Sequence, residues 1–288
     1  MLRSRMTNIF LLGLLVLAGL YSLKTPLKEP LVDQAQNVVC LMCVCPNEIV
    51  INFAKKISAL YKVYIICDDI YCHTPTDPSL TFLKISDDEC AKLGYTKSNV
   101  AIGKIPSAWD KALYYFCVKD TKPENVWFIE EDVFIPRASI LPELDVRYPH
   151  ADLIAKENVK QQDDPDFGWW FDAEDLMQPP LYRSMVCAAR LSRKLLNRIT
   201  DFVRLKGRLV FIEIMFNTIV VQQNMELATP GELSTIIWRH DWTPDIIDEN
   251  HMYHPIKDMR RQKDYREVLK KNPGSKIEAF VQGSNRTT

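Results

Sequence analysis

Two short apolar runs, residues 38–44 (VVCLMCV) and 62–67 (KVYIIC), bracket a stretch whose apolar residues recur at helical spacing, at Ile49, Ile51, Phe53, Ile57 and Leu60. A nearly continuous apolar run of this length suits a strand buried on both faces, and such strands belong to parallel sheets covered by helices. Parallel neighbours need a crossover, and the intervening helix supplies it. The order strand, helix, strand therefore predicts a βαβ unit and an α/β domain with a Rossmann-like, mostly parallel sheet flanked by helices.

The remaining pattern fits that frame. Residues 70–80 read as a loop, with Pro75 and Pro78, and Phe82, Leu83 and Ile85 as a short strand. Residues 107–118 predict a helix burying Ala108, the stem of Lys111, Ala112, Tyr115 and Phe116. Residues 126–129 form the cleanest buried strand, which runs straight into Glu130-Glu131-Asp132; Pro136 ends the regular structure that follows. A further strand is expected at 151–154, a long loop rich in Asp, Trp and Pro at 161–180, and a helix at 185–199 with a basic outer face of Arg190, Arg193, Lys194 and Arg198. Residues 209–221 are apolar around a single acid, Glu213, and the chain beyond 230 reads as irregular.

Outside the domain at 37–271, residues 8–23 (NIFLLGLLVLAGLYSL) form an uncharged run that would span roughly 24 Å as a helix, slightly short of a hydrocarbon core. Arg3 and Arg5 precede it and Lys24 ends it. A cleaved signal peptide shares the charged start and apolar middle, but its small-x-small cleavage pattern is missing here. The expected arrangement is a cytoplasmic tail at 1–7, one N-terminal transmembrane helix at 8–23, a stem at 24–36 and a loose tail at 272–288. That makes a single-pass type II protein with its domain in the lumen of the Golgi or endoplasmic reticulum. A formal net charge of -1 gives no reason to expect a nucleic-acid partner. Nothing in the pattern indicates an oligomeric state.

Three acids stand where a hydrophobic strand emerges, and in an open parallel sheet ligands bind beyond the carboxyl ends of the strands. Like charges so close repel unless a cation or solvent offsets them. Hard carboxylate oxygens suit Mg²⁺ or Mn²⁺; a solvated acidic turn is the alternative. Glu213 in its apolar run is either a general base with a raised pKa or the partner of an arginine such as Arg183 or Arg190. In residues 163–170 (DDPDFGWW), tryptophan beside aspartate suits the apolar face and hydroxyl rim of a sugar, with Gly168 allowing close approach; core filling by Trp169 and Trp170 is the alternative.

Residues 127–135 (WFIEEDVFI) resemble the D-x-D motif of GT-A-type glycosyltransferases of the single-pass Golgi kind, with Glu130 where the family has its first Asp and Asp132 in the last position. Residues 254–257 (HPIK) resemble the segment that closes some of these enzymes. The resemblance implies a GT-A-like fold and a metal-dependent transfer of a hexose or N-acetylhexosamine from a UDP-sugar to a glycan or glycoconjugate hydroxyl. It implies Asp132 and His254 as ligands of Mn²⁺ or Mg²⁺, with His251 close enough in sequence to compete. Glu130 and Glu131 would lie against the nucleotide-sugar, Glu130 on the ribose or a metal-bound water. Lys257 would steady the diphosphate, and Asp68 and Asp69 would reach uracil or ribose. Glu213, or its rival Asp166, would act as base in an inverting reaction. A retaining transferase and a catalytically silent lumenal nucleotide-sugar- or glycan-binding protein are the alternatives. Cys40, Cys43, Cys45, Cys67 and Cys117 are expected as buried thiols, and Cys72 with Cys90 as a loop disulfide.

Overall fold

The computed structural model describes residues 36–271, so the span at 8–23, the stem up to 35 and the tail from 272 lie outside the described residues. Among the described residues no helix is long and apolar enough to cross a membrane.

β1 (Asn37–Cys43), α1 (Glu48–Ile57) and β2 (Lys62–Cys67) form the expected unit, with every residue of β1 buried. Asn47 starts α1 by accepting the Ile49 and Val50 amides, which have no partner inside the helix. β3 (Leu80–Leu83), α2 (Asp87–Lys92) and α3 (Ala108–Tyr114) follow, α3 running on into a π turn at Tyr115–Lys119. Next come β4 (Asn125–Glu130), α4 (Ile140–Arg147) and β5 (Leu153–Ile154). β6 (Val159–Lys160) and β7 (Tyr182–Arg183) pair as a small antiparallel ribbon around α5 (Trp170–Glu174). The chain then forms β8 (Ala188–Ser192), α6 (Arg193–Lys206), α7 (Ile212–Gln222), β9 (Leu227–Ala228) and α8 (Met259–Lys271).

The main sheet has the order β3-β2-β1-β4-β8-β5-β9. β8 runs antiparallel to both of its neighbours, and all the other pairings are parallel. Successive strand residues point to opposite faces. Val38, Cys40, Val126 and Phe128 accordingly join one core with α3, α6 and α7, while Val39, Leu41, Trp127 and Ile129 join another with α1 and α4. The domain is thus an α/β fold of three layers.

Three expectations are corrected. Residues 185–199 are not one helix: β8 comes first, and α6 starts only at Arg193, where Ser192 accepts the Leu195 amide. Arg190 therefore lies on no outer face. It is 1% exposed, and its guanidinium meets Asp145 at 2.8 Å and the carbonyls of Tyr148 and Ala151. The region beyond 230 is not wholly irregular, because α8 closes the fold. Its sequence is strongly polar, and its inner face includes Gln262 and Arg266, the latter's guanidinium 3.9 Å from the Phe53 ring centre. The disulfide joins Cys45, not Cys90, to Cys72. Cys45 lies just past β1 in the loop that faces Cys72, whereas Cys90 is a buried thiol of α2.

Candidate active site

From β1 the chain winds outward through β2 and β3, then returns to place β4 on the other side of β1. The carboxyl ends of β1 and β4 are therefore the point where the sheet changes its winding direction, and there helices cannot cover the edge. Two clefts meet at it. One, of about 480 Å³, is lined by Val44 and Asn47 after β1, Asp68 after β2, Trp109, and Glu130 to Asp132. The other, of about 620 Å³, shares Glu130, Asp132 and Lys257 and continues to Cys187, Glu213, Trp238 and His254. Both volumes suit small-molecule ligands.

The wall between the clefts is a metal-competent corner. Backbone hydrogen bonds stitch the segment after β4 to the strap that carries His254: Phe134 and Tyr253 exchange amide bonds, and the Ile256 amide donates to the Asp132 carbonyl at 2.7 Å. This brings His254 Nε2 to 3.5 Å from the Asp132 carboxylate. His254 Nδ1 sits 2.7 Å from the Ile237 carbonyl. A carbonyl only accepts, so Nδ1 carries the proton of that bond, and in the neutral ring Nε2 presents its lone pair to Asp132. His251, by contrast, turns away to Asp248 at 2.9 Å. Burial acts to lower the His254 pKa, but Asp132 and Glu130 outweigh it and raise the value.

Glu130 accepts a hydrogen bond from Trp109 Nε1 at 2.6 Å, and Trp109 in turn stacks on Phe128. Burial, and then the neighbouring Asp132, push its pKa up to about 7. A carboxylate pair next to a lone-pair nitrogen fits a divalent cation, which removes the repulsion that otherwise favours protonation. Glu131 stands on the outer side, accepting the Val44 amide, with its pKa raised by burial.

Glu213 occupies the first turn of α7 and opens onto the second cleft. Among the described residues it has no arginine partner: Arg183 pairs with Glu157 and Asp164, and Arg190 with Asp145. Burial first, and Glu130 second, raise its pKa to about 8. Beside it, Trp169, Phe167, Phe211 and Trp238 line a third hollow of about 410 Å³. Trp169 thus faces the site, whereas Trp170 is core, its indole donating to the Asp164 carbonyl. Gly168 has open space where a Cβ would stand, so no protein atom requires glycine there.

Asp166, the rival base, is exposed and lines none of these hollows. Asp69 is also exposed and lies outside the first cleft, holding the Tyr71 amide. Asp68 does line that cleft, but Lys111 at 2.9 Å and Lys104 at 2.6 Å already hold its carboxylate. Lys257 is exposed and lines both clefts.

No protein-family model matches the sequence, and no curated protein matches it. Among solved structures, the chain resembles an active-site variant of LgtC at 10% identity with a TM-score of 0.41, over 80% of this chain and 95% of that one. It also resembles mouse xyloside xylosyltransferase 1 in its apo form at 9% identity with a TM-score of 0.36, over 67% of this chain and 85% of that one. Neither likeness carries a function.

Several site residues escaped sequence reasoning. Cys187 fell within the helix expected at 185–199 and was given no role; the strand start at Ala188 puts it on the cleft. Trp109 sits in an amphipathic helix among other large apolar residues, and nothing local sets it apart. Trp238 gave one usable signal, an aromatic beside Arg239 and His240 in a segment without periodicity; it is 56% exposed at the cleft rim.

Proposed function

We propose that residues 37–271 form a metal-dependent glycosyltransferase domain of the GT-A kind. It moves a hexose or N-acetylhexosamine from a UDP-sugar to a hydroxyl of a glycan or glycoconjugate, with inversion. The observation that carries this reading is the meeting of Glu130, Asp132 and His254 at the edge where the sheet changes direction, Glu130 and Asp132 lining both clefts and His254 the second.

On this reading the first cleft takes the nucleotide, with Asn47 and the Val44 backbone at its floor. The sugar lies at the shared wall, and the acceptor enters over Trp169 and Trp238. Asp132 and His254 would hold Mn²⁺ or Mg²⁺, and the ion would offset charge on the departing diphosphate. Lys257 adds a positive charge from the rim. Trp109 keeps Glu130 turned toward the wall. Glu213 takes the proton of the acceptor hydroxyl, whose oxygen bonds to the anomeric carbon as the bond to the diphosphate oxygen breaks. A carboxylate whose pKa lies near working pH suits that task. The lumenal placement behind an anchor at 8–23 stays part of the proposal, and the Cys45–Cys72 disulfide supports an oxidising compartment.

The test uses the full chain purified in detergent, with a panel of UDP-sugars and glycan acceptors with and without Mn²⁺. Metal-stimulated transfer is expected, and Asp132→Ala should lower it at least about 10²-fold. Undiminished turnover in that variant would sink the metal assignment.

A further inference from the structure

Cys187 has no part in the proposed transfer, yet its sulfur, one oxygen of Glu130 and one ring nitrogen of His254 all lie within 4.8 Å of one another. The three residues come from separate elements: the end of β4, the residue before β8, and the strap at 252–256. Their convergence is fixed by backbone bonds, since the Glu130 amide donates to the Cys187 carbonyl at 2.9 Å and the His254 strap is bonded to the segment after β4 through Phe134–Tyr253 and Ile256–Asp132. Nδ1 of His254 is engaged with Ile237, so Nε2 is the free donor. A thiol, an imidazole and a carboxylate in one corner are a different donor set from that of Asp132 and His254. Hard ions such as Mg²⁺ and Mn²⁺ take oxygen, and sulfur adds little for them. Zinc binds thiolate, imidazole and carboxylate alike, and is content with three protein donors and one open position.

We propose that this corner binds Zn²⁺ through Cys187 Sγ, His254 Nε2 and Glu130. On binding, the S–H bond breaks, the proton passes to solvent, and the sulfur electron pair forms the zinc bond. One imidazole nitrogen serves one ion at a time, so zinc displaces manganese from His254 and inhibits manganese-supported turnover. The inference shares with the proposed function the assignment of His254 as a metal ligand, and needs neither sugar nucleotide nor catalysis.

Cobalt(II) is the probe, added to the full chain in detergent without nucleotide. A thiolate-to-cobalt charge-transfer absorption should grow, saturate at a single ion per chain, and vanish on adding Zn²⁺. Cys187→Ala should abolish the band and weaken Zn²⁺ binding at least about tenfold, while Mn²⁺ affinity, followed by paramagnetic resonance of the free ion, changes less than about threefold. Cys40→Ala, which removes a thiol buried under the sheet, should leave both intact. Circular dichroism checks that Cys187→Ala folds, and Cys187→Ser repeats the measurement with a near-isosteric side chain. A band that survives either Cys187 substitution overturns the inference, as does unchanged zinc affinity. Cobalt binding through Cys187 without any sugar transfer would leave zinc binding standing and remove the transferase proposal. Manganese-dependent transfer that zinc does not inhibit would do the reverse.

Discussion

Glu213 shows how a single side chain couples chemistry to stability. The residue is 8% exposed, in a first helical turn made otherwise of apolar residues. Burial raises its pKa from 4.5 to about 8, so the carboxylate form that can accept a proton gains population only as pH rises toward that value. We predict that kcat/KM for transfer rises with pH and levels off above about 8, and that Glu213→Gln removes this limb and lowers the rate at least about 10²-fold. The sign for stability is opposite. Between 4.5 and about 8 the folded chain keeps a proton that the unfolded chain releases, so stability falls as pH rises through that window. Glu213→Gln carries no such cost. Its Tm should exceed that of the parent by a few degrees near pH 8, with the gap closing toward pH 4, which thermal scans across pH would show.

At the scale of the element, α3 supplies the first cleft with its fixed points and, through Glu130, braces the wall it shares with the second. Ser107 and Asp110 form a reciprocal cap at its first turn, and Asp110 also accepts the Ser98 amide at 2.8 Å. That cap sets the direction in which Trp109 reaches Glu130 and Lys111 reaches Asp68 and Asp87. Ser107→Ala should cost about 1 kcal/mol in denaturant unfolding. Because it loosens Trp109, it should also raise KM for the sugar nucleotide several-fold, with kcat less affected. This helix was legible from its apolar spacing, as were the first βαβ unit, β4 and the acidic residues at its end. β8 was not. Its residues AARLS are small or charged enough to read as helix, and only the buried pairing of Arg190 with Asp145 makes an arginine acceptable inside a sheet. α8 was hidden for a related reason: its inner face buries Gln262 and Arg266, whose partners Glu131 and Ile135 are far away in sequence.

Across the whole molecule, the core between the sheet and α1 and α4 is held by one polar anchor, Asp145. It accepts from Asn37, Tyr61, Trp127 and Arg190, which ties α4 to three neighbouring strands and to the turn between α1 and β2. Removing one partner of a buried ion pair leaves the other charge stranded. Asp145→Ala should therefore destabilise the fold by about 3–5 kcal/mol by chemical denaturation, while the folded fraction keeps its KM, because Asp145 lines neither cleft. The candidate site as a whole was only half visible in the sequence. Asp132, Glu130, His254 and Glu213 announced themselves by chemistry that their local setting does not explain. Cys187, Trp109 and Trp238 acquire meaning only from partners that lie far along the chain.

β5 and β8 lie side by side and run in opposite directions, so the chain leaves the sheet after Ile154 and re-enters it beside the same point at Ala188. Everything between, from the β6–β7 ribbon to the Trp169 shelf, is a detour whose two ends are held together by the sheet. Such a detour can change length and composition without shifting the register of any strand. Trp170, Ala173, Met177, Leu181 and Val186 root that detour in the core, so its freedom lies at the exposed tip. On the proposed reading, changes at residues 162–168 would redirect what the cleft accepts, while β1, β2 and β4 stay as they are around the donor.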